Sequence, residues 1–206
     1  KLGARTALID RLGDDWRGHL IYEELADLGV DLGFVEKVAS ETSCIASVWV
    51  RRRDGGRCIA FSAGSVLELG TDEFPEKAVQ SAKILHTNGR HWDAMIAAAE
   101  LAKKSNTLVS FDGGANRFRE EIREFMPLVD IAIVAKDWAN RFSGSTNTEI
   151  AAQAIRQTGP KLVAITDGLA GSWIFPETGD AFHQPAFPDE NCIDTTGCGD
   201  VYHGAF

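Results

Sequence analysis

Short apolar runs alternate with amphipathic stretches along most of the chain. Thr6-Ala7-Leu8-Ile9 predicts a strand, and Trp16 to about Leu28, closed by Gly29, predicts a helix. Lys83 to His86 reads as a strand, and the alanine-rich stretch Trp92 to Lys104 as a helix. Thr107 to Phe111 predicts the next strand, followed by a charged helical stretch from Arg119 to Phe125. Asp130 to Val134 reads as a buried strand, and Thr148 to Gln157 as a helix stopped by Gly159-Pro160. Lys161 to Thr166 is a further strand. These strands are continuous apolar runs separated by helices, the pattern of a mainly parallel sheet covered on both faces. The expected fold class is therefore three-layered α/β.

Residues 34–64 break this rhythm. Ile45 to Val50 and Cys58 to Ser62 read as strands flanking a polar turn, Arg51-Arg52-Arg53-Asp54-Gly55-Gly56-Arg57. An Asp-Gly turn between two strand-like runs predicts a β-hairpin inserted in the α/β body. Such a hairpin is either a lid or dimer contact, because an exposed edge needs covering, or a simple edge hairpin. The arginine run reads as solvated turn surface.

At 206 residues the chain suits one domain, 1–206, and its 44% hydrophobic and 25% charged content suits a fold with a core. The formal net charge of -9 argues against nucleic-acid and anionic-membrane partners, while still allowing a local site for an anion such as ATP. Cys44, Cys58, Cys192 and Cys198 form no CxxC pair and no cysteine–histidine cluster, so no zinc site is expected. Cys44 and Cys58 read as facing each other across the hairpin or as two buried thiols. His19, His91, His183 and His203 show no ligand spacing and read as structural or surface residues. With no signal peptide or membrane-length apolar run, a reducing cytoplasm is the expected compartment. The chain opens on the approach to a strand and stops inside a helical pattern, so missing material is expected on both sides.

The chemistry concentrates in Ile193-Asp194-Thr195-Thr196-Gly197-Cys198-Gly199-Asp200-Val201-Tyr202-His203-Gly204-Ala205-Phe206. Gly197 and Gly199 permit a tight turn, and helix-compatible residues follow. A glycine turn that opens a helix makes an anion site, because unpaired N–H groups and the helix dipole point the same way. A carboxylate at Asp200 is a poor phosphate ligand there, since like charges repel, but it suits a general base. Phosphoryl transfer needs an aimed hydroxyl, a proton acceptor and donors for the equatorial oxygens. Asp200 can take the proton, and the backbone of Gly197, Cys198 and Gly199 can hold the oxygens. The alternative is a glycine-rich loop with a helix-start carboxylate.

The whole run resembles the second signature of the ribokinase-type sugar kinases, the PfkB family, whose pattern is D-T-T-G-A-G-D-x-F-x-G-A-F. It departs from that pattern at Cys198 and Tyr202. Arg5 to Gly18, ending Gly13-Asp14-Asp15-Trp16-Arg17-Gly18, resembles the strand and G-D-D-x-x-G turn of the same family. Thr166-Asp167-Gly168-Leu169-Ala170-Gly171 resembles its T-x-G-x-x-G turn, although a plain strand-to-strand turn would look alike. The resemblance implies an ATP-dependent sugar kinase with Asp200 as catalytic base and Gly197, Cys198 and Gly199 as anion hole. It implies that Thr166, Gly168 and Gly171 lie along ATP, with Lys136 towards phosphate.

In place of the family's Asn-x-x-Glu stands Ala135-Lys136-Asp137-Trp138, similar to a run in ketohexokinase-like members. Asp137 and Asp112 become the Mg²⁺-associated carboxylates; otherwise Lys136 and Asp137 open a solvated helix and Asp112 caps a turn. Asn88 and Arg90, in a run similar to H-x-E-G-R, become substrate contacts. The resemblance further implies a monovalent cation such as K⁺ beside Asp194 and Thr196, a lid at about 34–64, and a homodimer through that lid. A first, sugar-contacting signature would precede Lys1, and the helices completing the adenine pocket would follow Phe206. A nucleoside or vitamin kinase, and a non-catalytic sugar- or nucleotide-binding relative, are the alternatives.

Overall fold

In the computed structural model, which describes residues 2–53, 55–189 and 191–206, the chain forms two compact units. One comprises Lys1–Pro75 with Asn191–Phe206, the other Glu76–Glu190.

The first unit opens with a β-α-β element: β1 (Ala7–Gly13), α1 (Trp16–Asp27) and β2 (Asp31–Val38), with the two strands parallel. The entry to α1 explains the Gly-Asp-Asp-Trp-Arg-Gly run. Asp15 is the N-cap, and its carboxylate accepts from the N–H of Gly18 at 2.9 Å, which satisfies a helix-end donor. The Ser43 hydroxyl accepts from the N–H of Gly13 at 2.9 Å. A Cβ on Gly18 would stand 2.0 Å from the Gly13 carbonyl oxygen, so no side chain fits there. Strand β2 was not expected. Its Asp31-Leu32-Gly33-Phe34-Val35-Glu36-Lys37-Val38 is mostly solvent-facing, and Arg11 on β1 pairs with Glu36 across the ladder at 2.6 Å. An exposed two-stranded element carries little of the apolar run that a buried strand shows.

The hairpin follows as β3 (Ile45–Val50) and β4 (Arg57–Ser62), antiparallel, as expected. Asp54, in its turn, lies outside the described residues. The thiols need correcting: Trp49 stands opposite Cys58, Cys44 precedes the ladder, and Cys58 is exposed rather than buried. Both are free.

The second unit is built on a six-stranded sheet. In chain order it contains α2 (Glu76–Ser81), β5 (Ile84–Thr87), α3 (Trp92–Lys104), β6 (Leu108–Gly113), α4 (Ile122–Phe125) and β7 (Ile131–Ala135). There follow α5 (Lys136–Ser143), α6 (Thr148–Arg156), β8 (Leu162–Thr166), β9 (Ser172–Phe175) and β10 (Phe182–Gln184). The strand order is β10-β9-β8-β7-β6-β5. Strands β5 to β8 are parallel; β9 and β10 extend the sheet antiparallel. The mainly parallel α/β architecture is the expected one.

Alanines at 94, 98, 99 and 102 form the buried face of α3, letting the helix lie close to the sheet. Trp138 is fully buried, stacked on Phe142 at 5.2 Å and tilted against Phe111 at 5.7 Å. A buried aromatic of this size contributes roughly 3–5 kcal/mol over alanine. A Cβ on Gly113 would come 2.5 Å from Val134, so that glycine makes room for the cluster. Asp130, nearly buried, accepts from Lys103 Nζ at 2.8 Å and the N–H of Val109 at 2.9 Å. The helix expected from Arg119 is shorter. Residues 119–124 are joined by bonds three apart, Ile122 to Arg119, Arg123 to Glu120 and Glu124 to Glu121. Pro127 follows at once, so only one α-helical turn remains.

The chain then returns to the first unit and ends in α7 (Cys198–Ala205). Among the described residues no helix is long and apolar enough to cross a membrane.

Candidate active site

The residues singled out in the sequence fall into two sets, one in each unit. In the first unit, the run 191–206 forms a turn and a helix. Gly197 is the N-cap of α7 with φ 84, a left-handed conformation that glycine takes without penalty. The N–H of Val201 bonds the Gly197 carbonyl at 2.9 Å, which locks the helix start. Asp200 is exposed in the first turn, and its Oδ2 lies 3.9 Å from where a Cβ on Gly197 would stand. The carboxylate therefore folds back over the glycine turn. Among the described residues no acceptor takes the N–H of Gly197 or Gly199. The N–H of Cys198 is different: it donates to the Thr195 carbonyl at 3.2 Å, a bond that an incoming anion must displace.

Asp194 tightens the preceding turn. Its Oδ1 accepts from the N–H of Thr196 at 2.8 Å. This bond, then one from the Thr196 side chain, and finally the charge of Arg57 hold the carboxyl below the ordinary aspartate range, against a smaller opposing effect of burial. A lowered value stabilises the turn above the ordinary range, and that contribution is lost as pH falls through the lowered value. In a carboxyl ¹³C titration, Asp194 is expected to titrate below the aspartate of an unstructured peptide. Thr196→Val should raise its midpoint part of the way, since the backbone bond remains. A midpoint at or above that of the peptide aspartate would contradict this geometry.

Arg57 was not singled out in the sequence. Its Nη1 donates to Thr195 Oγ1 at 3.3 Å, linking the start of β4 to a residue 138 positions on. No local pattern announces a contact at that separation. Beside it, Val50, Arg52, Ile193 and Asp194 line a recess of about 470 Å³.

In the second unit, the remaining candidates gather at the carboxyl ends of adjacent parallel strands, where open α/β sheets bind ligands. After β5, Asn88 Oδ1 accepts from the N–H of Arg90 at 3.1 Å, and Arg90 Nε reaches His91 Nε2 at 3.4 Å. Asn88 thus shapes its own turn. Near the end of β6, Asp112 pairs with Arg117 at 3.7 Å. After β7, Asp137 lies in the first turn of α5, and its Oδ2 accepts from the N–H of Asn116 at 2.7 Å. Lys136 opens the same helix. Its ammonium donates to Thr148 Oγ1 and lies 5.0 Å from the Trp173 ring centroid, so it is engaged within the unit.

After β8 comes the Thr-Asp-Gly-Leu-Ala-Gly turn. Gly168–Ala170 form a single 3-10 turn, and Asp167 donates its N–H to the Gly171 carbonyl at 2.9 Å. Thr166 donates its hydroxyl to the Val134 carbonyl at 3.5 Å. Gly168, with φ 50, has open space where a side chain would be. Gly171, with φ 89, faces a different constraint. A Cβ there would sit 2.1 Å from the Gln184 carbonyl oxygen and 2.9 Å from Ala186 N. Its glycine is thus required by the packing of this turn against the segment after β10, besides any ligand.

A family model for the pfkB family carbohydrate kinases matches residues 1–206. The chain belongs to that family. It is 27% identical over its whole length to a nucleoside kinase of Methanothermobacter thermautotrophicus, covering 66% of that protein. It superposes on the structure of Arabidopsis thaliana ribokinase complexed with ribose and ATP with a TM-score of 0.80 at 27% identity, over 99% of this chain and 68% of that one. Adenosine kinase from Sinorhizobium meliloti shows the same fold, with a TM-score of 0.85 at 23% identity over 98% of this chain and 64% of that one. The chain spans about two thirds of the length of these PfkB relatives.

Proposed function

We propose that this protein is an ATP-dependent kinase that phosphorylates a hydroxyl, on a hydroxymethyl group, of a sugar or sugar-like small molecule. The observation that carries this reading is the placement of Asp200 on the first turn of α7, beside a glycine turn whose N–H groups at 197 and 199 have no acceptor among the described residues. In the reaction, the acceptor oxygen bonds the γ-phosphorus as the bond to the β-bridging oxygen breaks and ADP leaves. Asp200 receives the hydroxyl proton. The Gly197 and Gly199 N–H groups, joined by that of Cys198 once its bond to Thr195 yields, stabilise charge on the phosphoryl oxygens. Thr166, Gly168 and Gly171 form the nucleotide turn, with Gly168 offering the open backbone. Lys136 supports that region from its contact with Trp173.

Asp112, near the end of β6, and Asp137, in the first turn of the helix that follows the adjacent parallel strand β7, are hard oxygen donors, a set that suits Mg²⁺, which binds one or two carboxylates together with substrate phosphates. When bound, Mg²⁺ neutralises phosphate charge. Asp194 and Thr196 are the residues for a monovalent cation such as K⁺. Asn88 and Arg90 are the acceptor contacts on the second unit. Residues 1–206 form one kinase domain with the hairpin as lid. Trp49, Ile59 and Phe61 are 59%, 54% and 66% exposed on that hairpin, which supports a homodimer through it. The cytoplasm, a reducing compartment, is the proposed location, in keeping with the four free cysteines.

A nucleoside acceptor is the second reading, favoured by the likeness to the Methanothermobacter nucleoside kinase. Incubation of the complete protein with Mg·ATP and a panel of sugars and nucleosides, followed by ³¹P NMR, decides between them. Phosphate is expected on a hydroxymethyl oxygen of one class. ATP binding with no transfer to any acceptor would replace the kinase with a non-catalytic binder.

A further inference from the structure

His183, on edge strand β10, is aimed at the nucleotide turn. Its Nε2 lies 2.6 Å from the Ala170 carbonyl oxygen. A carbonyl can only accept, so Nε2 carries the proton. The imidazole stacks on Trp173, its cross-strand partner, with centroids 4.5 Å apart and planes 29° from parallel. The Lys136 ammonium lies 5.0 Å from the Trp173 centroid. The ring is thus fixed by stacking, and its one directed bond ends on the turn between β8 and β9. The backbone of Gln184 to Ala186 closes on Gly171 at the same place. Leu169, at the tip of the turn, is 84% exposed, and a Cβ on Gly168 would meet nothing within 4 Å. Apart from the turn's own bonds, Ala170 is where a neighbouring strand grips it.

We propose that His183 is a positioning residue for ATP, holding the Asp167–Gly171 turn in its binding conformation through the Ala170 carbonyl. This rests on reading that turn as the nucleotide turn. A mobile turn must be ordered at the moment of binding, and that cost appears as lost affinity. A single bond at an exposed position corresponds to a severalfold change in affinity.

Three variants of the complete protein separate the parts. His183→Ala removes stack and donor, His183→Phe keeps the stack, and His183→Gln keeps a donor near the Nε2 position. Expected is a rise of about three- to tenfold in KM for ATP, and in the Kd of a non-hydrolysable ATP analogue, for the Ala and Phe variants. The Gln variant should lie within about twofold of wild type, and kcat and KM for the acceptor should hold throughout. Wild-type ATP affinity in the Phe variant would overturn the proposal. So would equal losses in all three variants, across ATP and acceptor alike, with a lowered Tm. A wild-type protein that binds no nucleotide removes the nucleotide reading first, without reference to any variant, and this inference with it.

Discussion

Asp200→Asn in the complete protein is expected to lower kcat by about a hundredfold or more, at least about 2.7 kcal/mol of transition-state stabilisation. The substitution keeps the shape of the side chain and removes its capacity to take a proton. The binding of ATP should hold, because the N–H groups proposed to meet phosphate belong to the turn at 197–199 and not to the carboxylate. Folding should hold as well: Asp200 is exposed in the first turn of α7. Loss of its charge at the helix N-terminus costs only about 0.3–1 kcal/mol. The informative pattern is thus a collapse in kcat with Tm and the Kd of ATP close to wild type. An unchanged kcat would remove the general base, and with it the main support for phosphoryl transfer. A large fall in Tm would instead make Asp200 a helix cap.

Gly171→Ala is expected to destabilise the protein by about 3 kcal/mol or more, from two independent costs. The backbone there has φ 89 and ψ -142, open essentially to glycine alone, and an L-residue held there stores about 1–3 kcal/mol. The new Cβ would also stand 2.1 Å from the Gln184 carbonyl oxygen, a backbone atom that yields only if β10 moves. Overpacking of this kind costs typically about 1–3 kcal/mol. In a protein of this size the sum lowers Tm by roughly 6–12 °C. Gly168→Ala is the control, because φ is 50 and nothing lies within 4 Å. Its cost is the left-handed conformation alone, about 1–2 kcal/mol. Equal shifts for the two variants would show that the contact with Gln184 does not constrain the turn.

The contrast between these glycines marks how far local pattern reaches. The Thr-Asp-Gly-Leu-Ala-Gly spacing identifies a turn, and both glycines then look like concessions to a nucleotide. Only the fold shows that Gly171 is hemmed in by the end of β10 and the residues that follow it. Lys136 makes the same point. The resemblance directs this helix-start cation towards phosphate, and the structure engages it with Thr148 and Trp173. The errors in secondary structure have two causes. Strand β2 is largely exposed and lacks an apolar run, and the start of the 119–125 segment winds with bonds three apart, which sequence periodicity does not resolve.

The sequence by itself determined the mainly parallel α/β architecture, the hairpin, and the turn that carries Asp200, because each is written in neighbouring residues: continuous apolar runs, an Asp-Gly turn, and a glycine pair before a helix. Contacts between distant positions were decided only by tertiary structure. Arg57 meets Thr195 across 138 positions, and His183 meets the Ala170 carbonyl although nothing in its own neighbourhood marks it. Local conformation depends on propensities that adjacent residues carry, whereas these partners are chosen by how distant segments pack together in the folded chain. The Asp200 turn therefore reads directly from the chain, and the groups that steady the turn of each unit emerge only once the chain has folded.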